Sequence, residues 1–454
     1  MARHFLSLPE DGGGRGLSGT TTCYAHSHNT WCLQINVANT QQDAMKDLDG
    51  KGKKICFFGH FGSPNFGNEI TLQAMLYHVR RVLPETEVAC ICTGSDALAA
   101  TQKIETVPIR RTFVKREKRR SRLVRLLRRV LIGVPSELYR WFEAFKTLNG
   151  SGMLIIPGTG LLTDAYGLLS WGPYNLFKWS VMARMCRCQV FFVSVGAGPV
   201  YSALGKYFVK SVLSLADFRS YRDNASLNYL RGIGFPTNSD RIYPDLVFSF
   251  PEALLPLDSD ERTKRSTVGL GLMPYAGKYS SATAGDGIYR EYLKNLVAFA
   301  RWLLTHDYDI RLLIGDLGDR PALEQFKSLL KASWGAYDGK RIINQPALSV
   351  EQLLPQIAAT DIVVATRFHS IVLALLLNRP VISISFHHKC ASLMEEMGLS
   401  EYCHDINDMN ADRLIAQFQD LEKKAARLKP AIRQRVEQSR KALDEQYSLI
   451  FKKV

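Results

Sequence analysis

Short runs of consecutive apolar residues alternate along the chain with longer stretches in which apolar residues recur every three or four positions. The first run, 55–58, is followed by a glycine-rich turn, and from Glu69 to Leu83 the apolar positions lie at helical spacing. Continuous apolar runs predict strands that are buried on both faces. Their alternation with helices predicts a parallel sheet between two layers of helices.

Two series of such runs predict two sheets. The first series comprises the runs at 55–58, 87–93, 153–156 and 190–195. Around 251–266 the pattern gives way to proline and charged residues, which is typical of a linker. The second series comprises 267–272, 310–314, 341–343, 361–364 and 381–385. The fold class that we expect is therefore α/β, with two doubly wound, Rossmann-like domains that face a cleft.

This pattern divides the chain into four parts. They are a flexible leader (1–50), an N-terminal Rossmann-like domain (51–253), a C-terminal one (254–410) and a helical region (411–454). We expect the helical region to pack back across both domains and to break at Pro430. The leader contains a second methionine, so translation starts at Met1 or at Met45.

Composition excludes several classes of protein. The 454 residues are 46% hydrophobic and 22% charged, as in a globular protein and unlike a disordered one. The longest apolar run, 371–377, is far shorter than the ~18 residues of a membrane span. The N-terminus lacks the basic region and apolar core of a secretory signal. The nine cysteines, an odd number without a Cys-x-x-Cys pair, favour a reducing, cytoplasmic location.

One group of metal-ligand residues stands out in the leader: Cys23, His26, His28 and Cys32. Their segment has no apolar periodicity around which a folded site could form. We therefore expect no metal there.

The positive charge is concentrated in one segment. Between Arg110 and Arg129 there are eleven basic residues and one acidic residue, which supply +10 of the net charge of +15. Leucines recur at helical spacing from Leu123 to Leu131, so 110–131 predicts a basic helix that suits an anionic membrane surface. A solvated helix whose leucines pack on their own domain is an equal alternative. Nucleic acid is not expected, because no aromatic residues interleave with the arginines.

Ligands of such sheets bind where strands end at the carboxyl edge. The loop after the first predicted strand, 59–69, combines glycines with Asn65, Asn68 and Glu69, which are suited to holding hydroxyl groups. It lacks the spacing of a dinucleotide fingerprint and the Gly-Lys-Ser/Thr of a phosphate-binding loop. A plain turn in which Asn68 caps the helix explains it equally well.

Glycine-rich segments follow two further strands of the first series. One contains Gly158, Gly160 and Asp164, and the other is 196–199. Because the carboxyl ends of parallel strands share one edge of the sheet, we expect both segments to face the same cleft.

Two charged residues follow later in the first domain. Arg222 precedes a helix start and is either a cation of the cleft or a surface arginine beside the capping residue Asp223. Asp245 either places a carboxylate at the cleft or only turns the chain after Pro244.

The sharpest signal is Arg367-Phe368-His369, which follows the strand at 361–364 and begins a helix. An arginine can hold a carboxylate or a phosphate through two parallel hydrogen bonds, and a histidine can transfer a proton. The next strand ends before Lys389. Arg222, Arg367, His369 and Lys389 together would form an anion site.

The order and spacing of these stretches resemble the polysaccharide pyruvyl transferase family over nearly all of 54–405. The matching segments are Phe66-Gly67-Asn68-Glu69, Gly158-Thr159-Gly160, Arg222-Asp223-x-x-Ser226, Pro244-Asp245, Arg367-Phe368-His369, 379–385, Lys389 and 393–399. This chain departs from the family pattern at Asn68, where Asp is usual, and at Phe368, where Leu is common. The second change is a conservative apolar one.

The resemblance implies transfer of pyruvate from phosphoenolpyruvate to hydroxyls of a sugar in an exopolysaccharide or cell-surface polysaccharide repeat, forming a ketal. It also implies an architecture similar to that of the two-domain GT-B glycosyltransferases. On this basis Arg367 and Arg222 hold the anionic groups, His369 transfers a proton and Lys389 is an auxiliary cation. The further substrate-binding residues are Asn65, Glu69, Gly158, Gly160, Asp164 and Asp245.

Phosphoenolpyruvate is then a co-substrate, and neither a cofactor nor a metal is expected, since protein cations can neutralise its phosphate. The acceptor is expected to be a lipid-linked oligosaccharide. The protein would work in the cytoplasm, peripherally at the inner face of the plasma membrane.

Two other functions fit the same sequence. One is a GT-B glycosyltransferase that uses a nucleotide-sugar. The other is a catalytically silent, membrane-docked scaffold of polysaccharide assembly, against which the pair Arg367 and His369 argues.

Overall fold

The computed structural model describes residues 53–111, 129–165, 167, 172–256, 265–275, 282–335 and 338–452. The leader 1–50, with its group of cysteines and histidines, lies outside these residues, as do positions 112–128 of the basic segment.

The first domain is built on a seven-stranded sheet. Its strands are β1 (Lys54–Gly59), β2 (Val88–Cys92), β3 (Glu105–Pro108), β4 (Ser151–Pro157), β5 (Gln189–Val195), β6 (Phe218–Tyr221) and β7 (Arg241–Ile242). Its helices are α1 (Phe66–Val82), α2 (Ser95–Gln102), α3 (Val134–Leu148), α4 (Pro173–Met185), α5 (Ala203–Ser214) and α6 (Asn224–Gly232). A π-helical turn, Arg129–Gly133, leads into α3.

The second domain is built on a six-stranded sheet. Its strands are β8 (Thr267–Gly271), β9 (Asp309–Leu313), β10 (Ile342–Ile343), β11 (Ile362–Ala365), β12 (Val381–Ser385) and β13 (Cys403–Asp405). Its helices are α7 (Ala282–Thr305), α8 (Arg320–Ser333), α9 (Val350–Ala358), α10 (Phe368–Leu376) and α11 (His388–Glu396), and the chain continues into the long helix α12 (Ala411–Phe451).

All pairings in both sheets are parallel. The strand orders are β3-β2-β1-β4-β5-β6-β7 and β10-β9-β8-β11-β12-β13. The predicted fold class, two doubly wound α/β domains, is confirmed.

The central strands are buried on both faces, as their continuous apolar sequences require. Along β1, Ile55 and Phe57 join a core that continues through α1 into the second domain and α12. Cys56 and Phe58 point the other way, into the core beneath α3, α4 and α5. The alternation of side chains along a strand therefore fills two cores from one apolar run.

Helix α12 contacts both domains. The Gln446 side chain donates to Ser220 Oγ at 2.6 Å in the first domain, and Glu422 accepts from Tyr308 Oη at 2.8 Å in the second. The predicted break at Pro430 is absent, and the helix runs through it. Pro430 and Ala426 are both exposed, so water can bond the carbonyl that the proline leaves without a donor.

Each sheet has a point where the chain reverses its direction of winding. In the first sheet β1 lies between β2 and β4, and in the second β8 lies between β9 and β11. The connections that leave two such neighbours run to opposite faces, which leaves a crevice at the carboxyl edge. A binding site is expected at that edge in both sheets.

Candidate active site

A cavity of about 410 Å³ lies at the carboxyl edges of both sheets. Residues that follow β1, β4, β6, β9, β11 and β12 form its wall, and the first turns of α1, α10 and α11 border it. Helix N-termini favour negative charge. The lining residues are His60, Ser63, Pro64, Asn65, Asn68, Thr159, Gly160, Leu161, Arg222, Gly315, Asp316, Arg367, Phe368, His369, Phe386 and Lys389.

Arg222 is buried beside this cavity and is not a surface arginine. Its side chain is only 9% exposed, and its Nη1 and Nε lie 3.5 Å from Asp245 and from Asp223, respectively. The Nε is buried and makes no hydrogen bond within the described part of the chain. A buried donor of this kind is costly unless a ligand satisfies it. Gly196 makes room for the guanidinium, since a Cβ there would lie 2.5 Å from Arg222 Nη2.

The guanidinium of Arg367 is hydrogen-bonded to the carboxylate of Asp319. Its Nε donates to both carboxylate oxygens of Asp319 at 3.1 Å, and its Nη2 donates to Oδ1 as well. Asp319 is fully buried and also accepts from the Gly315 N–H at 3.2 Å. Burial raises the pKa of Asp319, and Arg367 opposes that rise. Asp319 therefore fixes the guanidinium and neutralises much of its charge.

The ring of Phe368 contacts two cations of the site. Its ring centroid is 4.9 Å from the Arg222 guanidinium carbon and 5.2 Å from Lys389 Nζ. The aromatic face attracts both cations, which a leucine could not do. The departure from the family pattern at this position is therefore more than a conservative apolar change. Burial, reinforced by the charge of Arg222, lowers the pKa of Lys389 to about 8.

His369 lies in the first turn of α10, facing the first domain. Burial lowers its pKa well below the ordinary value, and the charges of Lys389, Arg222 and Arg367 lower it further. Its Nε2 is buried without a hydrogen-bond partner among the described residues. The imidazole is therefore neutral at pH 7 in the unliganded protein and has one nitrogen available for chemistry.

Gly67, in the first turn of α1, makes room for this imidazole. A Cβ at Gly67 would lie 1.9 Å from His369 Nδ1, closer than any van der Waals contact allows. The two domains thus approach each other at the candidate acid–base group, and only a glycine fits between them.

We expect Gly67→Ala to lower turnover by roughly tenfold or more, because the displaced imidazole loses its productive geometry. Gly287→Ala is the matched control, since Gly287 also lies in a helix but nothing surrounds the position where its Cβ would be. Alanine favours helices by about 1 kcal/mol over glycine, so that control should unfold no earlier than wild type. Equal turnover of the two variants would show that His369 tolerates displacement.

The opposite wall of the cavity joins the two domains through polar groups. Asn65 caps α1 by accepting from the Asn68 N–H at 3.3 Å, and its Nδ2 donates to Asp316 at 3.1 Å. The cap is thus Asn65 and not Asn68. Main-chain bonds run alongside, from Phe66 N to the Gly315 carbonyl at 3.1 Å and from Leu317 N to the Pro64 carbonyl at 3.0 Å.

The structure brings six of the predicted site residues to the cavity wall: Asn65, Gly160, Arg222, Arg367, His369 and Lys389. The other four do not line it. Asp245 accepts from Val247 N and is a counterion of Arg222, and burial raises its pKa. Gly158 packs near the Ser194 carbonyl.

Glu69 and Asp164 both bind loops. Glu69 accepts from the Gly62 N–H at 2.8 Å, which fixes the loop after β1, and burial raises its pKa to about 7. Asp164 accepts from the N–H groups of Tyr201 and Ser202, at 2.8 Å and 2.9 Å, and so fixes the start of α5.

Sequence reasoning missed Asp316 and Asp319. The signal was present, because the segment Gly315-Asp316-Leu317-Gly318-Asp319 directly follows the predicted strand at 310–314. It is a glycine-rich strand exit like those of the first domain. His60 and Thr159 were missed for a different reason, since a single histidine or threonine in a loop carries no specific pattern.

In the part of the chain that the structure describes, no group of three or more His, Cys, Asp and Glu side chains is arranged to hold a metal ion. Among the described helices, none has both the length and the apolar character that a membrane span requires.

The fold and the site define a class of protein: a two-domain α/β protein of the GT-B type whose cleft is lined by Arg222, Arg367 and Lys389. The sequence profile of the family described as polysaccharide pyruvyl transferase matches residues 65–388. This chain therefore belongs to the polysaccharide pyruvyl transferase family and is an enzyme of this type. The resemblance seen in the sequence is confirmed, and no curated protein matches the chain as a whole.

Several solved structures share the fold. The putative UDP-N-acetylglucosamine 2-epimerase from Listeria monocytogenes superposes with a TM-score of 0.55 at 11% identity, covering 84% of this chain and 91% of that one. The UDP-GlcNAc 2-epimerase from Neisseria meningitidis, bound to UDP-GlcNAc, gives 0.54 at 10% identity, with 88% and 99% covered. A glycosyltransferase from Rickettsia africae gives 0.53 at 12% identity, with the same coverage. At such identities the likeness concerns the fold alone.

Proposed function

We propose that this enzyme transfers the pyruvyl group of phosphoenolpyruvate to two hydroxyls of a sugar in an exopolysaccharide or cell-surface polysaccharide repeat, forming a cyclic ketal. One observation carries the proposal: Arg222, Arg367, Lys389 and His369 border a single cavity between the two sheets. Three cations and one neutral imidazole match a donor that has two anionic groups and one carbon to be protonated.

The donor side is formed by the cations. Phosphoenolpyruvate carries a carboxylate and a phosphate, and charge-assisted hydrogen bonds to such groups are the strong ones. Arg222 has a buried Nε that makes no hydrogen bond to a described residue, and Lys389 also lies over the ring of Phe368. Arg367 contributes a guanidinium whose orientation Asp319 fixes.

The reaction balances with two hydroxyl groups and no other reactant. A proton adds to the methylene carbon of phosphoenolpyruvate, and the first hydroxyl oxygen bonds to the neighbouring carbon, which becomes electrophilic. The second hydroxyl oxygen then replaces phosphate at that carbon. Of the two hydroxyl protons, one returns to the enzyme group that protonated the methylene carbon, and the other leaves with phosphate.

His369 is placed to move that proton. In the free protein, burial and then the surrounding cations keep the pKa of His369 low. The negative charges of bound phosphoenolpyruvate oppose those cations and raise the pKa, so the imidazole takes up a proton as the donor binds. The imidazolium then protonates the methylene carbon and afterwards receives a hydroxyl proton.

The acceptor side is the wall formed by Asn65, Asp316 and Thr159, whose oxygen and amide groups suit sugar hydroxyls. The acceptor is a lipid-linked oligosaccharide in this proposal, and the basic segment 110–131 holds the enzyme at an anionic membrane surface on the cytoplasmic side. Most of that segment lies outside the described residues.

The direct test is to incubate the protein with phosphoenolpyruvate and an oligosaccharide acceptor. We expect release of inorganic phosphate and a product whose mass increases by one pyruvate ketal. Thermal unfolding with phosphoenolpyruvate or with a UDP-sugar separates the proposal from glycosyl transfer. Stabilisation by the UDP-sugar alone, with no ketal formed, contradicts the proposal.

The pKa of Lys389 is about 8 in the free protein, and this makes the affinity for phosphoenolpyruvate depend on pH. Bound anions raise this pKa, so binding of phosphoenolpyruvate should be independent of this group below pH 8. Above it, the dissociation constant should rise by up to about tenfold per pH unit, since the free lysine must gain a proton. Lys389→Arg stays charged and should abolish the rise. Titration calorimetry at several pH values checks this, and identical profiles for both proteins contradict it.

A further inference from the structure

Helix α3 has an apolar face that points away from the protein. The exposed fractions are 65% for Leu131, 55% for Val134, 66% for Leu138 and 62% for Phe142, and Phe145 continues the same stripe at 41%. These positions are three or four residues apart and therefore share one side of the helix. Helices that cover a sheet normally expose polar residues on this side.

A second group of exposed apolar side chains, Tyr201, Leu204 and Tyr207, lies at the start of α5. Helices α3, α4 and α5 cover one core and hence one face of the first sheet. Helices α3 and α5 each connect two parallel strands of the first sheet. Their first turns therefore lie at the carboxyl edge of that sheet, where the cavity also lies. We call these residues, 131–145 on one side and 201–207 on the other, the outer apolar surface.

The charges around this surface are positive. Helices α3, α4 and α5 carry six basic and two acidic residues, although Lys178 is buried and Arg184 is in an ion pair with Asp217. Both acids are already in ion pairs: Glu137 lies 2.7 Å from Arg140 and 3.1 Å from Lys178, and Glu143 lies 2.9 Å from Arg111. The chain that enters α3 brings eleven basic residues and one acidic residue between positions 110 and 129.

We propose that the outer apolar surface docks on an anionic lipid bilayer. Its leucines and aromatic rings enter the interface, and the neighbouring basic residues lie against the headgroups. Tyr and Phe side chains suit this boundary, since their rings are apolar and the Tyr hydroxyl stays in contact with water. A second copy of this chain fits less well, because a two-fold contact would press like charges together.

Docking through this surface lays α3 along the membrane, with the carboxyl edge of the first sheet beside the membrane surface. If the proposed function holds, the cavity then meets the sugar of a lipid-linked acceptor close to the headgroups. That consequence rests on the proposed function, whereas the binding to lipid does not.

The test measures binding to vesicles without any substrate. We expect wild type to co-sediment with vesicles of equal parts phosphatidylglycerol and phosphatidylcholine, and hardly with phosphatidylcholine alone. Salt should weaken the binding, because the Debye length falls from ~10 Å at 0.1 M to ~3 Å at 1 M. The double variant Leu138→Gln/Phe142→Gln should bind the mixed vesicles roughly tenfold more weakly, since it loses two apolar side chains that would enter the interface.

The matched control is Leu348→Gln in the second domain, where Leu348 is 57% exposed and lies outside the surface. It should bind like wild type. A second double variant, Leu204→Gln/Tyr207→Gln, tests the other half of the surface. The proposal is overturned if wild type does not bind mixed vesicles, or if both double variants bind as wild type does. It is also overturned if sedimentation velocity shows a dimer that the double variants dissociate.

These outcomes are independent of catalysis. The double variants should keep wild-type turnover on a soluble acceptor and wild-type stabilisation by phosphoenolpyruvate. Vesicle binding without any ketal formation would reject the proposed function and leave the docking surface standing.

Discussion

We expect His369→Gln to lower kcat for pyruvyl transfer by ~10²-fold or more, which is the typical contribution of one acid–base group. Glutamine keeps the volume and a polar end but cannot carry a proton between carbon and oxygen. The fold should survive, since the Nε2 of His369 makes no hydrogen bond within the described residues. Affinity for phosphoenolpyruvate should change little, because the cations remain.

Steady-state kinetics and thermal unfolding measure this prediction. His306→Gln is a suitable control, because His306 is exposed and does not line the cavity. In deuterium oxide, the product of wild type should carry one deuteron in the ketal methyl group, which reports proton transfer to carbon. A kcat within about threefold of wild type would remove His369 from the chemistry.

The sequence predicted the apolar strands well, including the edge strand β10, expected at 341–343, and missed the short, partly polar ones. The apolar run 381–385 is β12 as predicted, and the run 55–58 is β1 with one residue added at each end. Such strands are buried on both faces, and this leaves a continuous apolar pattern. β6, with the sequence Phe-Arg-Ser-Tyr, and β13 are short and partly polar. Their pairing depends on neighbours that are distant in sequence, which no local pattern contains.

In the candidate site, too, the residues with a local sequence pattern were predicted and those that depend on distant contacts were not. Arg367, His369 and Arg222 could be found because residue type and position after a strand coincide. Their surroundings could not be found this way. The carboxylate of Asp319 meets Arg367 across 48 residues, and Gly67 meets His369 across the two domains. Such contacts follow from the assembly of strands and domains, which the local sequence does not encode.

The structure also changes which cation matters most. From the sequence, Arg222 could have been a surface residue paired with Asp223. It is in fact buried, although it does lie 3.5 Å from Asp223, and its Nε has no hydrogen bond in the described structure. Arg367, in contrast, has three donor contacts to Asp319. A bound anion stabilises a cation with an unsatisfied hydrogen-bond donor more than one whose donors are already bonded. Arg222 is therefore the position where a substitution should weaken donor binding most.

We expect Arg222→Gln to raise the dissociation constant of phosphoenolpyruvate by roughly 10- to 100-fold, since hydrogen bonds to charged groups contribute about 1.5–3 kcal/mol. The variant should also unfold earlier, because it leaves the buried carboxylate of Asp245 without its cation, which costs about 3 kcal/mol. Calorimetric titration and thermal unfolding measure the two effects. Arg219→Gln is the matched control, because Arg219 lies on β6, three residues before Arg222, and pairs with Asp240 at 2.8 Å outside the cavity.

The two effects can be separated by a second substitution. Arg222→Gln/Asp245→Asn removes the cation together with one of its two carboxylate partners, and asparagine can still accept from the Val247 N–H as Asp245 does. Thermal stability should therefore recover in part, because breaking a buried pair costs more than removing it, while Asp223 keeps its hydrogen bond from the Ser226 N–H. Affinity for phosphoenolpyruvate should stay low, because the cation that meets the anion is still missing. If affinity recovers along with stability, Arg222 supports the fold and another cation holds the donor.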